Sequence, residues 1–202
     1  MSGEPCILIV PGLRDAVAQH WQSLLEARLR AAGRAVAAVH PMGREDLDCA
    51  TKVAAIEREA QAVQGPLIVV AHSAGCIMLA HWARQTKRTV AGALLAAPPD
   101  FDAPMPEGYP ALDALQTGGW LPVPRERLPF RSIVATSRND PLCRFERAAE
   151  LAHAWGSRLD DLGHVGHLNP ASGFGAWPQA EQYIGELSAA APKRRAARTR
   201  TR

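Results

Sequence analysis

Apolar residues in this chain recur in two alternating rhythms. Short apolar-rich runs at Cys6–Val10, 35–39, 67–71, 92–96, 132–136 and 158–162 have the length and composition of buried strands. Between them, at 17–32, 49–63, 75–85 and 145–154, and again at 178–189, apolar residues recur every three to four positions, the period of a helix with one buried face. Strand and helix in alternation predict βαβ units, hence a parallel sheet with right-handed crossovers. The expected fold is α/β: one three-layer domain around a mostly parallel sheet of about six strands. One stretch breaks the rhythm. Residues 98–129 are rich in proline, contain Pro98-Pro99 and Gly118-Gly119-Trp120, and predict a loop excursion with one short helix near 111–116. It leaves the C-terminal end of a strand, where open α/β sheets bind ligands. It can therefore be a pocket wall or a structural loop.

A chain of 202 residues with 47% apolar and 21% charged types can bury one core without disulfide staples. Cys6, Cys49, Cys76 and Cys143 lack paired spacing and read as reduced, buried thiols. No apolar run is long enough for a signal segment or a membrane span, so a cytoplasmic protein without membrane contact is expected. The net charge of +3 hides a division. Lys193, Arg194, Arg195, Arg198, Arg200 and Arg202 crowd the last ten residues and leave the preceding 192 at −3. The domain is placed at 1–190 and a basic, disordered tail at 191–202. Such a tail can hold nucleic acid or an acidic surface only loosely, or simply be solvated.

The chemistry begins at Ala71-His72-Ser73-Ala74-Gly75, between the apolar run Leu67-Ile68-Val69-Val70 and a helical stretch. A serine at a sharp strand-to-helix turn needs small residues two before and two after it, because the helix folds back against the strand; Ala71 and Gly75 meet that demand. The same pattern also fits an ordinary turn with a capping serine. A serine hydroxyl is a poor nucleophile until an imidazole takes its proton and a carboxylate orients that imidazole. Asp140 follows the strand at 132–136, in Ser137-Arg138-Asn139-Asp140-Pro141; it reads as that acid or as a helix N-cap. Asp100, Asp102, Asp160 and Asp161 are lesser candidates. After the last strand, Gly163-His164-Val165-Gly166-His167 offers two imidazoles, and residue chemistry does not choose between them. His72 is expected to point away from the hydroxyl, and His20, His40, His81 and His153 to serve in core or surface. The two loop histidines with Asp160 or Asp161 would make at most a sparse metal site, with no HExxH helix or cysteine pair to support it. The backbone amides of Leu13, after Pro11-Gly12, and Ala74, after the serine, are the candidate oxyanion donors.

Four blocks in register resemble one known family, the small serine hydrolases that include retinoblastoma-binding-protein serine hydrolases and YdeN-like bacterial proteins. They are Val10-Pro11-Gly12-Leu13 with His20-Trp21-Gln22; Ala71-His72-Ser73-Ala74-Gly75-Cys76; Ser137-Arg138-Asn139-Asp140-Pro141; and Gly166-His167-Leu168-Asn169, followed by Ser172-Gly173-Phe174-Gly175 and Trp177-Pro178. The resemblance covers about residues 6–188. It implies a trimmed α/β-hydrolase fold without a large lid, and assigns the base to His167 rather than His164, beside Ser73 and Asp140. The basic tail has no counterpart in the pattern.

These readings combine into an expected reaction: acyl transfer to Ser73 from an ester, or from a thioester or amide, with no cofactor and a small-molecule acyl substrate. Trp21, Trp120, Phe174 and Trp177 are candidates for the pocket lining or for core packing. The alternative is a catalytically silent module of the same fold that binds a protein partner.

Overall fold

Six strands form one sheet: β1 (Cys6–Val10), β2 (Val36–Ala38), β3 (Leu67–His72), β4 (Val90–Ala96), β5 (Ser132–Thr136) and β6 (Arg158–Asp161). Their order across the sheet is β2-β1-β3-β4-β5-β6, and every neighbouring pair is parallel. The computed structural model describes residues 4–13, 17–40, 42–43 and 46–189. The tail at 191–202 and Arg14 lie outside the described residues.

Helix placement follows from that order. From β1 the chain crosses to β2 on one side, then returns past β1 to β3 and proceeds steadily to β6. Right-handed crossovers in opposite directions put their helices on opposite faces. Accordingly α1 (Trp21–Ala31) and the final α6 (Gln179–Ala189) cover one face, with Trp21, Leu25, Leu29, Tyr183, Ile184 and Leu187 packed against Ile7, Ile9, Ile68 and Val70. The other face holds α2 (Cys49–Ala62), α3 (Ala74–Ala83) and α5 (Phe145–Trp155), whose Val53, Ile56, Ile77 and Leu151 meet Leu8, Val69, Leu95 and Val134. The result is three layers and two cores, as the alternating pattern predicts. The strands β1, β3 and β5 are buried at every position, so they carry continuous apolar runs where a half-exposed strand would alternate. Helix α3 is apolar around most of its circumference, and from Ala74 to Trp82 every residue but His81 is buried.

Element ends differ from the periodicity where local hydrogen bonds decide. The first helix, expected from residue 17, starts at Trp21. There the His20 imidazole caps it by accepting the Gln22 N–H at 3.2 Å, while Val17 remains half exposed. The excursion at 98–129 has its short helix α4 at Leu112–Thr117 and is built into the body. Its Phe101, Leu115, Trp120, Val123 and Leu128 belong to the α2/α3/α5 core. The Trp120 indole donates to the Leu47 carbonyl at 2.7 Å, and the Gly118 carbonyl accepts from Cys49 N–H at 2.8 Å. A short 3₁₀ turn at Pro170–Ser172 has no periodic signal in the sequence. Among the described residues, no helix is long and apolar enough to cross a membrane.

A close backbone approach lies where α3 begins. A Cβ on Gly75 would stand 2.7 Å from the carbonyl oxygens of both Val10 and Pro11, neither of which can yield as a flexible side chain would. Gly75→Ala is therefore expected to cost about 1–3 kcal/mol by overpacking, or roughly 2–10 °C in Tm for a domain of this size. Thermal unfolding followed by circular dichroism checks this, and an unchanged Tm would show that the two elements separate freely.

Candidate active site

Parallel strands all end at the same edge of the sheet, and the loops leaving β1, β3, β5 and β6 meet there. The order reverses between β1 and β3, the position at which open α/β sheets bind ligands. Ser73 sits at that edge, between the end of β3 and the start of α3. Its backbone has φ 54° and ψ −130°, a region that costs an L-residue on the order of 1–3 kcal/mol and persists only where its surroundings hold it. They do so on both sides. Ser73 N–H donates to the Ala96 carbonyl at 2.9 Å, and its own carbonyl accepts from Cys76 N–H at 2.8 Å. Ala71 is fully buried, so a methyl group suffices where a glycine is usual.

Three of the candidate residues come together. The His167 Nε2 lies 2.8 Å from Ser73 Oγ, and Nδ1 lies 2.8 Å and 3.0 Å from the two carboxylate oxygens of Asp140. A carboxylate only accepts, so the ring proton is on Nδ1; Nε2 is then bare and accepts the serine hydroxyl proton. His167 and Asp140 are both buried, which strengthens the pairing and keeps water from competing for it. Asp140 Oδ1 also accepts the Leu142 N–H at 2.8 Å, an Asx-type turn on which the carboxylate is steadied. It does not cap α5, whose N-cap is Arg144.

The other acidic and histidine candidates have different occupations. Asp100 and Asp102 bind Arg147, Asp161 binds Arg138, and Asp160 accepts from the Tyr183 hydroxyl. His164 is exposed, and the His81 Nε2 lies 3.1 Å from the Trp120 carbonyl. Among the described residues, no group of three histidine, cysteine or acidic side chains is arranged to hold a metal. Trp21 and Trp120 are fully buried core residues; Phe174 and Trp177 stack edge to face at the margin of the α1/α6 core.

The loop after β1 closes against the serine. A Cβ on Gly12 would be 3.0 Å from Ser73 Cβ and 3.4 Å from Oγ, so any side chain here would press on the serine. Leu13 follows it and packs its side chain on the α2/α3/α5 core. Ala74 is the first residue of α3, where backbone N–H groups have no partner within the helix and the helix dipole favours negative charge.

Sequence reasoning missed the polar scaffold beneath these groups. Val165 N–H donates to Ser137 Oγ at 3.1 Å, Gly166 N–H to Asn139 Oδ1 at 2.8 Å, and His167 N–H to Ser172 Oγ at 3.0 Å. Gln22 reaches from α1 to donate to the Val10 and Val70 carbonyls, each at 3.1 Å, and so ties β1 to β3 just below the elbow. The four motif blocks contain all of these residues except Val70 and Val165, but no periodic or charge signal marks them. His20 and His72 also lie here, with ring centres 4.8 Å apart. Burial, with a lesser contribution from His167, lowers His20 to about 4; burial likewise holds His72 well below the usual imidazole range, helped by His167 and His20.

Comparison with known proteins gives the family and the fold. The serine hydrolase family matches residues 7–186. A crystal structure of a putative YdeN-like hydrolase from Pectobacterium atrosepticum is 31% identical, covers 92% of this chain and 91% of its own, and superimposes with a TM-score of 0.75. The ydeN gene product of B. subtilis, at 18% identity, covers 92% of this chain and 99% of its own with a TM-score of 0.72. The N-formylmaleamic acid deformylase of Pseudomonas putida S16, at 16% identity, covers 93% of each with a TM-score of 0.65. These last two share the fold. Curated proteins gave no match.

The two depressed histidines set an acid limit on stability. In the unfolded chain an imidazole takes its proton near 6.5, whereas folded His20 resists until about 4. Below 6.5 the unfolded state binds protons that the native state refuses, so stability falls as pH drops from about 6.5 towards 4. The His20 contribution to that fall is roughly 3 kcal/mol. His20→Asn keeps a capping acceptor and should make the decline shallower. Urea midpoints at about pH 7 and about pH 5 measure it; an unaltered decline in the variant would show that His20 is not held neutral.

Proposed function

Because this chain belongs to the serine hydrolase family, we propose that it is an esterase-like acyl hydrolase whose nucleophile is Ser73, with His167 as general base and Asp140 orienting it. The observation that supports this most is the unbroken path from Asp140 through Nδ1 and Nε2 of His167 to Ser73 Oγ, each link 2.8 Å. That path suits acyl transfer in two halves. Ser73 Oγ attacks the acyl carbonyl carbon as its proton passes to Nε2, and the carbonyl electron pair moves onto oxygen. The amides of Leu13 and Ala74 are the proposed donors to that oxyanion. When the oxyanion collapses, the bond to the leaving oxygen breaks and Nε2 returns the proton to it. Water then attacks the acyl-serine with the same base, releasing the acid and restoring the hydroxyl. Throughout, the Nδ1 proton stays between His167 and the Asp140 carboxylate, which stabilises the imidazolium without taking the proton itself.

Small-molecule esters of short or medium acyl length suit the site, because Phe101, Leu115, Trp120, Val123 and Leu128 of the excursion at 98–129 are packed into the core. Thioesters and amides are attacked by the same chemistry at different leaving groups. A deformylase shares this fold, so amides belong in the same test.

Fluorophosphonate labelling with mass-spectrometric site mapping checks the assignment. Label is expected on Ser73 and is expected to be lost in Ser73→Ala and reduced by at least about 10³-fold in His167→Ala, with His164→Ala close to wild type. A graded series of p-nitrophenyl esters beside aminoacyl amides then reads the bond type and chain length. Folded protein that takes no label, or that labels equally without His167, would overturn the proposal.

A further inference from the structure

The reaction above leaves unused a buried histidine one residue before the nucleophile. His72 is the last residue of β3, and strand alternation turns it away from Ala71 and towards the α1/α6 face with Ile68 and Val70. It is 5% exposed. Its ring centre lies 5.1 Å from that of His167, 4.8 Å from that of His20, and edge-on to Trp21 at 5.9 Å. Its Nε2 is 3.0 Å from the main-chain carbonyl oxygen of His167. A carbonyl can only accept, so the proton of His72 is on Nε2 and is donated to it.

That carbonyl belongs to a strained segment. Gly166 has φ 62° and Leu168 φ 50°, so His167 lies between two left-handed residues, and the second has a branched side chain that disfavours this conformation. Strain of this kind persists only where the surroundings over-determine it. On the N-terminal side, Ser137, Asn139 and Ser172 bind the amides of residues 165–167, and Ser137 and Asn139 come from the loop after β5. On the C-terminal side, the donor to the His167 carbonyl is His72, which comes from the strand that carries the nucleophile.

We propose that His72 is a positioning residue: by donating from β3 to the His167 carbonyl, it fixes the base-bearing turn at the distance from Ser73 that proton transfer requires. This inference rests on the assignment of Ser73 and His167 made above. The proton arrangement serves it well. Burial among His20, Trp21 and the His167 turn keeps His72 neutral, so it remains a single-proton donor and does not compete for the proton that His167 receives.

Two variants of similar bulk separate hydrogen bonding from packing. His72→Gln retains an N–H able to reach the carbonyl; His72→Met fills the space without a donor. Hydrolysis of p-nitrophenyl acetate gives kcat and KM separately, and the downfield proton resonance of His167 Nδ1–H reports the geometry of its bond to Asp140. His72→Met is expected to lose about 10–100-fold in kcat with KM within about two-fold, and to shift or broaden that resonance, as misplacement of a catalytic group by a fraction of an ångström would do. His72→Gln should recover to within about five-fold of wild type. If the Met variant does not fold, His72→Asn, whose shorter amide cannot span the gap, replaces it under the same criteria. A Met variant within about two-fold of wild type, or a Gln variant as slow as Met, would overturn the proposal and leave His72 a packing residue. A wild-type protein that neither hydrolyses the ester nor takes the fluorophosphonate would count against the Ser73 assignment instead. The resonance of the variants would still decide whether His72 holds His167.

Discussion

Everything at the candidate site depends on how closely the start of α3 can lie against the end of β1. With hydrogen in place of a side chain at Gly75, the helix rests on the Val10 and Pro11 carbonyls, and the chain can turn from β3 into α3 within one residue. That turn forces Ser73 into a disfavoured backbone region, lifts its hydroxyl clear of the strand, and leaves the first amides of a buried helix beside it. Gly12 repeats the same economy of atoms from the other side, bringing the loop after β1 to within a Cβ's width of the serine. Two glycines thus bring three segments of backbone together at the point where the strand order reverses.

Around that point, each reactive group is held by polar contacts that leave it one proton arrangement. Asp140 is fixed by Leu142 N–H and accepts from His167; His167 must then carry its proton on Nδ1 and present a bare Nε2 to Ser73. In a buried site, such contacts gain strength from the low dielectric, and an unmatched group would cost on the order of 1–3 kcal/mol. This is why the surrounding loops spend so many side chains, Ser137, Asn139 and Ser172 among them, on binding backbone amides of the His167 turn. The histidines at 20 and 72 extend the same logic. Neither can accept a proton cheaply, so in the proposed reaction the proton leaving Ser73 has one imidazole to go to.

The sheet arrangement turns these local features into one site. Because all six strands run the same way, Ser73, Asp140 and His167, although taken from loops after β3, β5 and β6, emerge at a single edge. An antiparallel neighbour at any of these positions would have delivered its loop to the far edge, about a strand length away.

The residue pattern by itself determined the alternation of strands and helices, the parallel sheet, and the serine turn, because each rests on local physics: side-chain period, turn sterics and the small residues at 71 and 75. It also placed Asp140 and a pair of histidines on the loops that the structure brings beside Ser73. Residue chemistry alone did not separate His167 from His164, since both are imidazoles on one short loop; the family resemblance pointed to His167, and in the structure only that ring reaches both Ser73 and Asp140. Tertiary structure alone decided the rest. Asp140 became a partner of His167 rather than a helix cap because the loop after β6 folds back over it. Trp120 joined the core because the excursion at 98–129 closes on Leu47, and His72 turned towards the His167 carbonyl because β3 ends where that turn passes. These contacts join residues between 27 and 95 positions apart, and no periodicity along a chain encodes which distant carbonyl a buried N–H will meet.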